Sequence, residues 1–107
     1  MNNNNIGIIY RGHDNTVDLQ LSYIPYIQNT AIIIDHTTLI KVEIKIGNVS
    51  INSISTPSAF DLTHADRMIL KFGQLNLLSG KYLAELIAFD NQNVNGVVWG
   101  FFDLVVT

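Results

Sequence analysis

Three histidines stand close to carboxylates in this chain: His13 beside Asp14, His36 beside Asp35, and His64 between Asp61 and Asp66. Imidazole and carboxylate together can ligate a metal or act as general acid and base. The spacing favours neither task. Neighbouring residues on a strand point to opposite faces, so His13 with Asp14, or Asp35 with His36, hold one ion only if a loop folds them together. No His-x-x-x-His spacing is present, and the three read as loop histidines among polar turn residues. A capped turn accounts for Asp61 and Asp66.

Residues 90–96, Asp-Asn-Gln-Asn-Val-Asn-Gly, are a closer imitation of a binding loop. Counted from Asn91, amides fall at the first, third and fifth places and Gly96 at the sixth, as in a calcium loop. The twelfth place, where a bidentate glutamate must close the coordination shell, is Phe102. Asn95 and Gly96 instead read as a turn joining two antiparallel strands. Ser50, Ser53, Ser55 and Ser58 lack the Gly-x-Ser-x-Gly elbow that lifts a nucleophilic hydroxyl out of a fold. There is no Gly-rich phosphate loop. With no cysteine, thiolate nucleophiles, disulfides and cysteine-based metal sites are all excluded. The side chains point away from an enzyme and call for no metal or other cofactor.

What must position these residues is a single domain. The chain has 107 residues, 48% of them hydrophobic and 14% charged, the opposite of a composition too polar to collapse. A single β-domain is expected over residues 6–107, preceded by a flexible asparagine-rich tail at residues 1–5. The formal net charge of -3, from 6 Lys+Arg against 9 Asp+Glu, opposes binding to a phosphate backbone, which needs clustered cations. The most apolar stretch, residues 97–107, is interrupted by Gly100 and Asp103, so no membrane span is expected. No basic and apolar leader is read at residues 1–5, and a protein made in the cytoplasm is expected.

The hydrophobic pattern has a period of two. Residues 16–23 alternate throughout, with Val17, Leu19, Leu21 and Tyr23 on one face. Residues 40–46 place Lys41, Glu43 and Lys45 opposite Ile40, Val42, Ile44 and Ile46, and Gly47-Asn48 then turns the chain into a second strand at 49–54. Further strands are expected at 6–11, 31–34, 67–72, 81–89 and 97–106. About seven antiparallel strands predict an all-β sandwich. Helix signals are confined to one turn at 62–66, with Thr63 as its cap. Pro25 and Pro57 mark loops.

The last strand has more apolar residues than one buried face can use. If Asp103 faces solvent, Phe101 and Val105 share its side, and a bulge at Gly100 re-aims Trp99. Trp99, Phe101 and Val105 are therefore the candidate interface, with a homo-oligomer as one outcome. Strand edges offer a second route to partners, through their unpaired backbone groups. An alternative of a different class is a carbohydrate- or ligand-binding module that stacks its ligand on Tyr10, Tyr23, Tyr26 or Trp99.

Residues 75–86, Leu-x-Leu-Leu-Ser-Gly-Lys-Tyr-Leu-Ala-Glu-Leu, resemble the tyrosine corner of immunoglobulin-like sandwiches. There the tyrosine hydroxyl, here that of Tyr82, ties its strand to the preceding loop, and Gly80 permits the tight turn. Ala84 stands where disulfide-bearing members carry cysteine, and the one tryptophan is on the last strand, so the pattern is not that of an antibody domain. Together with Ile9-Tyr10-Arg11-Gly12-His13-Asp14 and the ending Asn95-Gly96-Val97-Val98-Trp99-Gly100-Phe101, the chain resembles small immunoglobulin-like structural proteins of tailed bacteriophages and prophages. The resemblance implies a non-enzymatic component of a tail, baseplate, head-to-tail region or surface decoration. It would be made in the bacterial cytoplasm, built into a virion, and bound to copies of itself or to neighbouring structural proteins.

Overall fold

A computed structural model describes residues 6–25 and 29–107. The tail at residues 1–5 and the stacking candidate Tyr26 lie outside the described residues. The fold is all-β. Its strands are β1 (Ile6–Ile9), β2 (Val17–Leu19), β3 (Ser22–Tyr23), β4 (Ile32–Ile33), β5 (Lys41–Ile46), β6 (Val49–Asn52), β7 (Phe60–Asp61), β8 (Met68–Leu70), β9 (Gly80–Phe89) and β10 (Val97–Val106). Ten described strands replace the seven expected because several are only two or three residues long. The alternating run at 16–23 is divided: the chain leaves β8 after Leu19 and pairs with β4 instead, which leaves Tyr23 exposed rather than in the core.

Helical structure is limited to two 3-10 turns among the described residues, His36–Thr38 and Pro57–Ala59. The turn expected at 62–66 does not form. The Asp61 carboxylate accepts both the backbone N–H and the hydroxyl of Thr63, so the group expected to cap a helix is spent as a donor in a local Asx-type turn.

Five strands form one sheet in the order β1-β10-β9-β5-β6, three form a second in the order β2-β8-β7, and β3 and β4 pair separately. The long antiparallel pair β9 and β10 is the spine of the large sheet, and the hairpin of β5 and β6 extends it on one side. On the other side β1 runs parallel to β10, the one departure from antiparallel pairing among the described strands. A parallel pair needs a long crossover between its members, and here nearly the whole domain intervenes.

The two layers share one core. Along β5, β9 and β10, Val42, Ile44, Ile46, Ala84, Leu86, Ala88, Phe102, Leu104 and Val106 all point inward, while Leu19, Met68 and Leu70 answer them from the smaller sheet. Period-two alternation is what places each set on one face. Phe60 and Phe72 meet edge-to-face with ring centroids 5.4 Å apart, a geometry worth about 0.5–1.5 kcal/mol beyond the burial itself. The arrangement is that of a β-sandwich. Among the described residues no helix is long and apolar enough to cross a membrane.

Candidate interaction face

The outer face of the large sheet carries the surplus of apolar residues. Across β1, β10 and β9 the register aligns Ile8 with Val105 and Lys81, and Ile6 with Asp103 and Leu83. The next row holds Phe101, Glu85 and Lys45, and the row beyond it Val98, Ile87 and Glu43. Asp103 faces solvent as expected, and Phe101 beside it is 51% exposed. Val105 lies on the same face, half-buried.

Most of the charge on this face lies on its β9 and β5 side. Toward β5, Lys45 lies 3.9 Å from Glu85 and the Lys41 ammonium sits 4.8 Å from the centre of the Phe89 ring, so the aromatic is covered. Toward β1 the face is apolar around one carboxylate, that of Asp103 between Ile6 and Leu83: Ile6, Ile8, Leu83, Val98 and Phe101 are each between two-fifths and two-thirds exposed. Grouped exposed apolar side chains of this kind on a protein surface often mark a contact site. A hollow of about 370 Å³ on this face is lined by Ile6, Leu83 and Val105, with Lys81 and Asp103 beside them.

Trp99 is placed differently from its two companions. The β9–β10 register slips between Val98 and Gly100, leaving Trp99 as the extra residue of a bulge. The indole is half-buried and packs against the core. Phe101 and Val105 therefore share the outer face, and Trp99 acts as the pivot that turns the strand. Of the other stacking candidates, Tyr10 follows β1 and Tyr23 lies on β3 in a different sheet, both exposed.

Two turns hold the spine in place. The Tyr82 hydroxyl donates to the Leu78 carbonyl at 2.8 Å, tying the start of β9 to the loop before it. Between β9 and β10, the Asp90 carboxylate accepts the backbone N–H groups of Gln92 and Asn93 and the Asn93 side-chain amide. That carboxylate is spent on closing the turn. Gly96 ends the loop at φ +83°, where a Cβ would stand 2.6 Å from the Phe89 ring, so both conformation and space require glycine.

Hydrogen bonds from Asn93 and Gln92 hold the Asp90 carboxyl below its ordinary value, led by the Asn93 backbone N–H. The hydroxyl and backbone N–H of Thr37 do the same for Asp35, and those of Thr63 for Asp61. A group whose pKa is depressed by folding stabilises the fold above its unfolded value and ceases to do so as the pH falls through its folded one. All three carboxylates thus contribute fully above about pH 4 and lose their contribution below it. Thermal melts between pH 7 and pH 2.5 should show that loss, and an Asp90→Asn variant should show a smaller one. An identical acid response in the variant would refute the assignment for Asp90.

The histidines do not form a site. His64 lies 3.3 Å from Asp61, and His13 is exposed. No group of three or more metal-ligating side chains converges among the described residues. His36 differs from the other two in being wholly buried, at the start of the first 3-10 turn. Its Nε2 accepts the Leu21 backbone N–H at 3.0 Å and its Nδ1 donates to the Ala65 carbonyl at 2.8 Å, which fixes a neutral ring with the proton on Nδ1. No protein family, curated protein or solved structure matches this chain.

Proposed function

We propose that this chain is a non-enzymatic structural protein of a phage or prophage particle, immunoglobulin-like in fold, acting by protein–protein contact through the outer face of β1, β10 and β9. The observation that carries the reading is the set of exposed apolar side chains Ile6, Ile8, Leu83, Val98 and Phe101 on one face, gathered around the single carboxylate of Asp103. An exposed apolar surface bordered by Lys81 and Glu85, with the single carboxylate of Asp103 among its apolar side chains, has the character of a contact site. Its partners are copies of itself or neighbouring particle proteins, with no role for nucleic acid or membrane. The protein is made in the bacterial cytoplasm before incorporation.

The strand order supports the immunoglobulin-like part of the reading. Variable-type domains place strands G, F, C and C′ in one sheet and B, E and D in the other. The orders β10-β9-β5-β6 and β2-β8-β7 match these when strands are paired off along the chain. The bond from Tyr82 to Leu78 sits at the start of the strand that corresponds to F, where the tyrosine corner belongs.

Co-expression with the products of the adjacent genes, followed by size exclusion with light scattering, tests the reading. Neighbouring terminase, portal or tail genes are expected, and the chain should migrate as an oligomer or with one of their products. Phe101→Ser should weaken that association at least tenfold, about 1.4 kcal/mol, with little change in melting temperature because the ring is half exposed. A strict monomer at high concentration that binds none of those products, or a complex indifferent to the substitution, would overturn it.

A further inference from the structure

The flank of the sandwich beside β1 has a separate feature, a cleft of about 460 Å³ between the free edges of the two sheets. Ile6, Gly7 and Ile8 form one wall, residues 16–19 form the other, and Phe102 forms the floor. Backbone direction on each wall follows from the hydrogen bonds beside it. Arg11 donates to the Thr107 carbonyl and Thr107 donates to that of Ile9, so the odd-numbered residues of β1 turn their backbone toward β10. By alternation, the N–H and C=O groups of Ile6 and Ile8 point to the open side. On the other wall Lys71 donates to Ala59, which turns Met68 and Leu70 toward β2 and leaves the backbone of Asp18 facing the cleft. No strand pairs with either edge among the described residues.

β1 reads Ile-Gly-Ile-Ile, with no charge, no proline and no bulge to oppose pairing at this edge. Gly7 also brings the layers unusually close, since a Cβ there would meet Leu104 at 2.7 Å and Val17 at 2.9 Å. Asp18 is the one charged residue lining the cleft, and the nearest cation, Arg67, is 3.7 Å from that carboxylate and held at 2.9 Å by Asp66.

We propose that the β1 edge accepts an extended polypeptide segment of a partner protein as an added strand of the large sheet. Ile6 and Ile8 supply the backbone ladder, the cleft takes the side chains that face inward, and Asp18 pairs with a lysine or arginine of the segment. Main-chain bonds give the contact its strength, and the small inward pocket and single carboxylate select for short β-branched residues with a neighbouring cation. The feature is an edge and does not depend on the apolar outer face.

The test uses the full chain, labelled with nitrogen-15, and the blocked peptide acetyl-Lys-Thr-Val-Thr-Val-Thr-Lys-amide at 1 mM. Exchange of the Ile8 and Asp18 amides should slow at least tenfold, with shifts confined to residues 6–8 and 16–19. The same peptide with alternate nitrogens methylated should have no effect, because it cannot form the ladder. Asp18→Lys should weaken the response at least threefold and restore it for a peptide ending in glutamates. Shifts elsewhere, no change at 1 mM, or an equal response to the methylated peptide would each overturn the proposal.

Discussion

Gly73→Ala is expected to destabilise the fold by about 3–4 kcal/mol, toward the upper end of what a single added methyl group does. A Cβ at this position would stand 1.9 Å from the His13 carbonyl oxygen and 2.7 Å from that of Tyr10. Both obstacles are backbone, so no side-chain rotation relieves them. The turn cannot retreat easily either, because Gly12 donates to the Gly73 carbonyl at 2.7 Å and Arg11 next to it donates to Thr107. The loop after β8 is in this way clamped to the turn after β1. Against a total stability of roughly 5–15 kcal/mol, such a loss is visible in a urea titration. Gly12→Ala is the control: a Cβ there meets nothing within 4 Å, and its cost is confined to the φ of +80°, about 1–2 kcal/mol. Equal losses in the two variants would refute the clash.

The clamp also ties stability to the proposed contact. Releasing it frees the end of β1, whose exposed face and open edge carry the surfaces assigned to partners. Gly73→Ala should therefore raise amide exchange at Ile9 before the rest of the large sheet opens, since regions with few anchoring contacts open at lower free energy.

Local alternation made the large sheet legible from sequence. β5 alternates strictly enough that burial of one face fixes its register, and an overlong apolar strand such as β10, with Asp103 in its middle, has to show part of itself to solvent. Gly100 beside Trp99 foretold the bulge for the same local reason. What stayed hidden depends on distant chain. Nothing in Ile6–Ile9 says that its partner is β10, in parallel, across nearly the whole domain. The Thr63 hydroxyl was available to cap a helix or to bond Asp61, and the sequence does not rank the two. Gly73 gives no sign that its neighbours are carbonyls some 60 residues earlier.

His36 is the clearest case of that dependence, and its replacement is the second large effect expected. The ring is fully buried and bonds backbone groups 15 and 29 residues away, those of Leu21 and Ala65. Its own backbone N–H also donates to the Ala65 carbonyl. One side chain thus joins the segment between β2 and β3, the first 3-10 turn and the loop before β8. His36→Leu fills most of the space but strands the buried Leu21 N–H, at about 1–3 kcal/mol, and leaves the Ala65 carbonyl with the residue 36 backbone N–H alone. His36→Ala adds a cavity, for a total near 3–5 kcal/mol, or on the order of 15–25 °C in melting temperature for a domain of this size. His13→Ala and His64→Ala, on the surface, should each stay within about 0.5 kcal/mol of the wild type. In His36→Leu the Leu21 amide should also exchange markedly faster than its core neighbours. If all three histidine variants melt together, the ring does not join these segments.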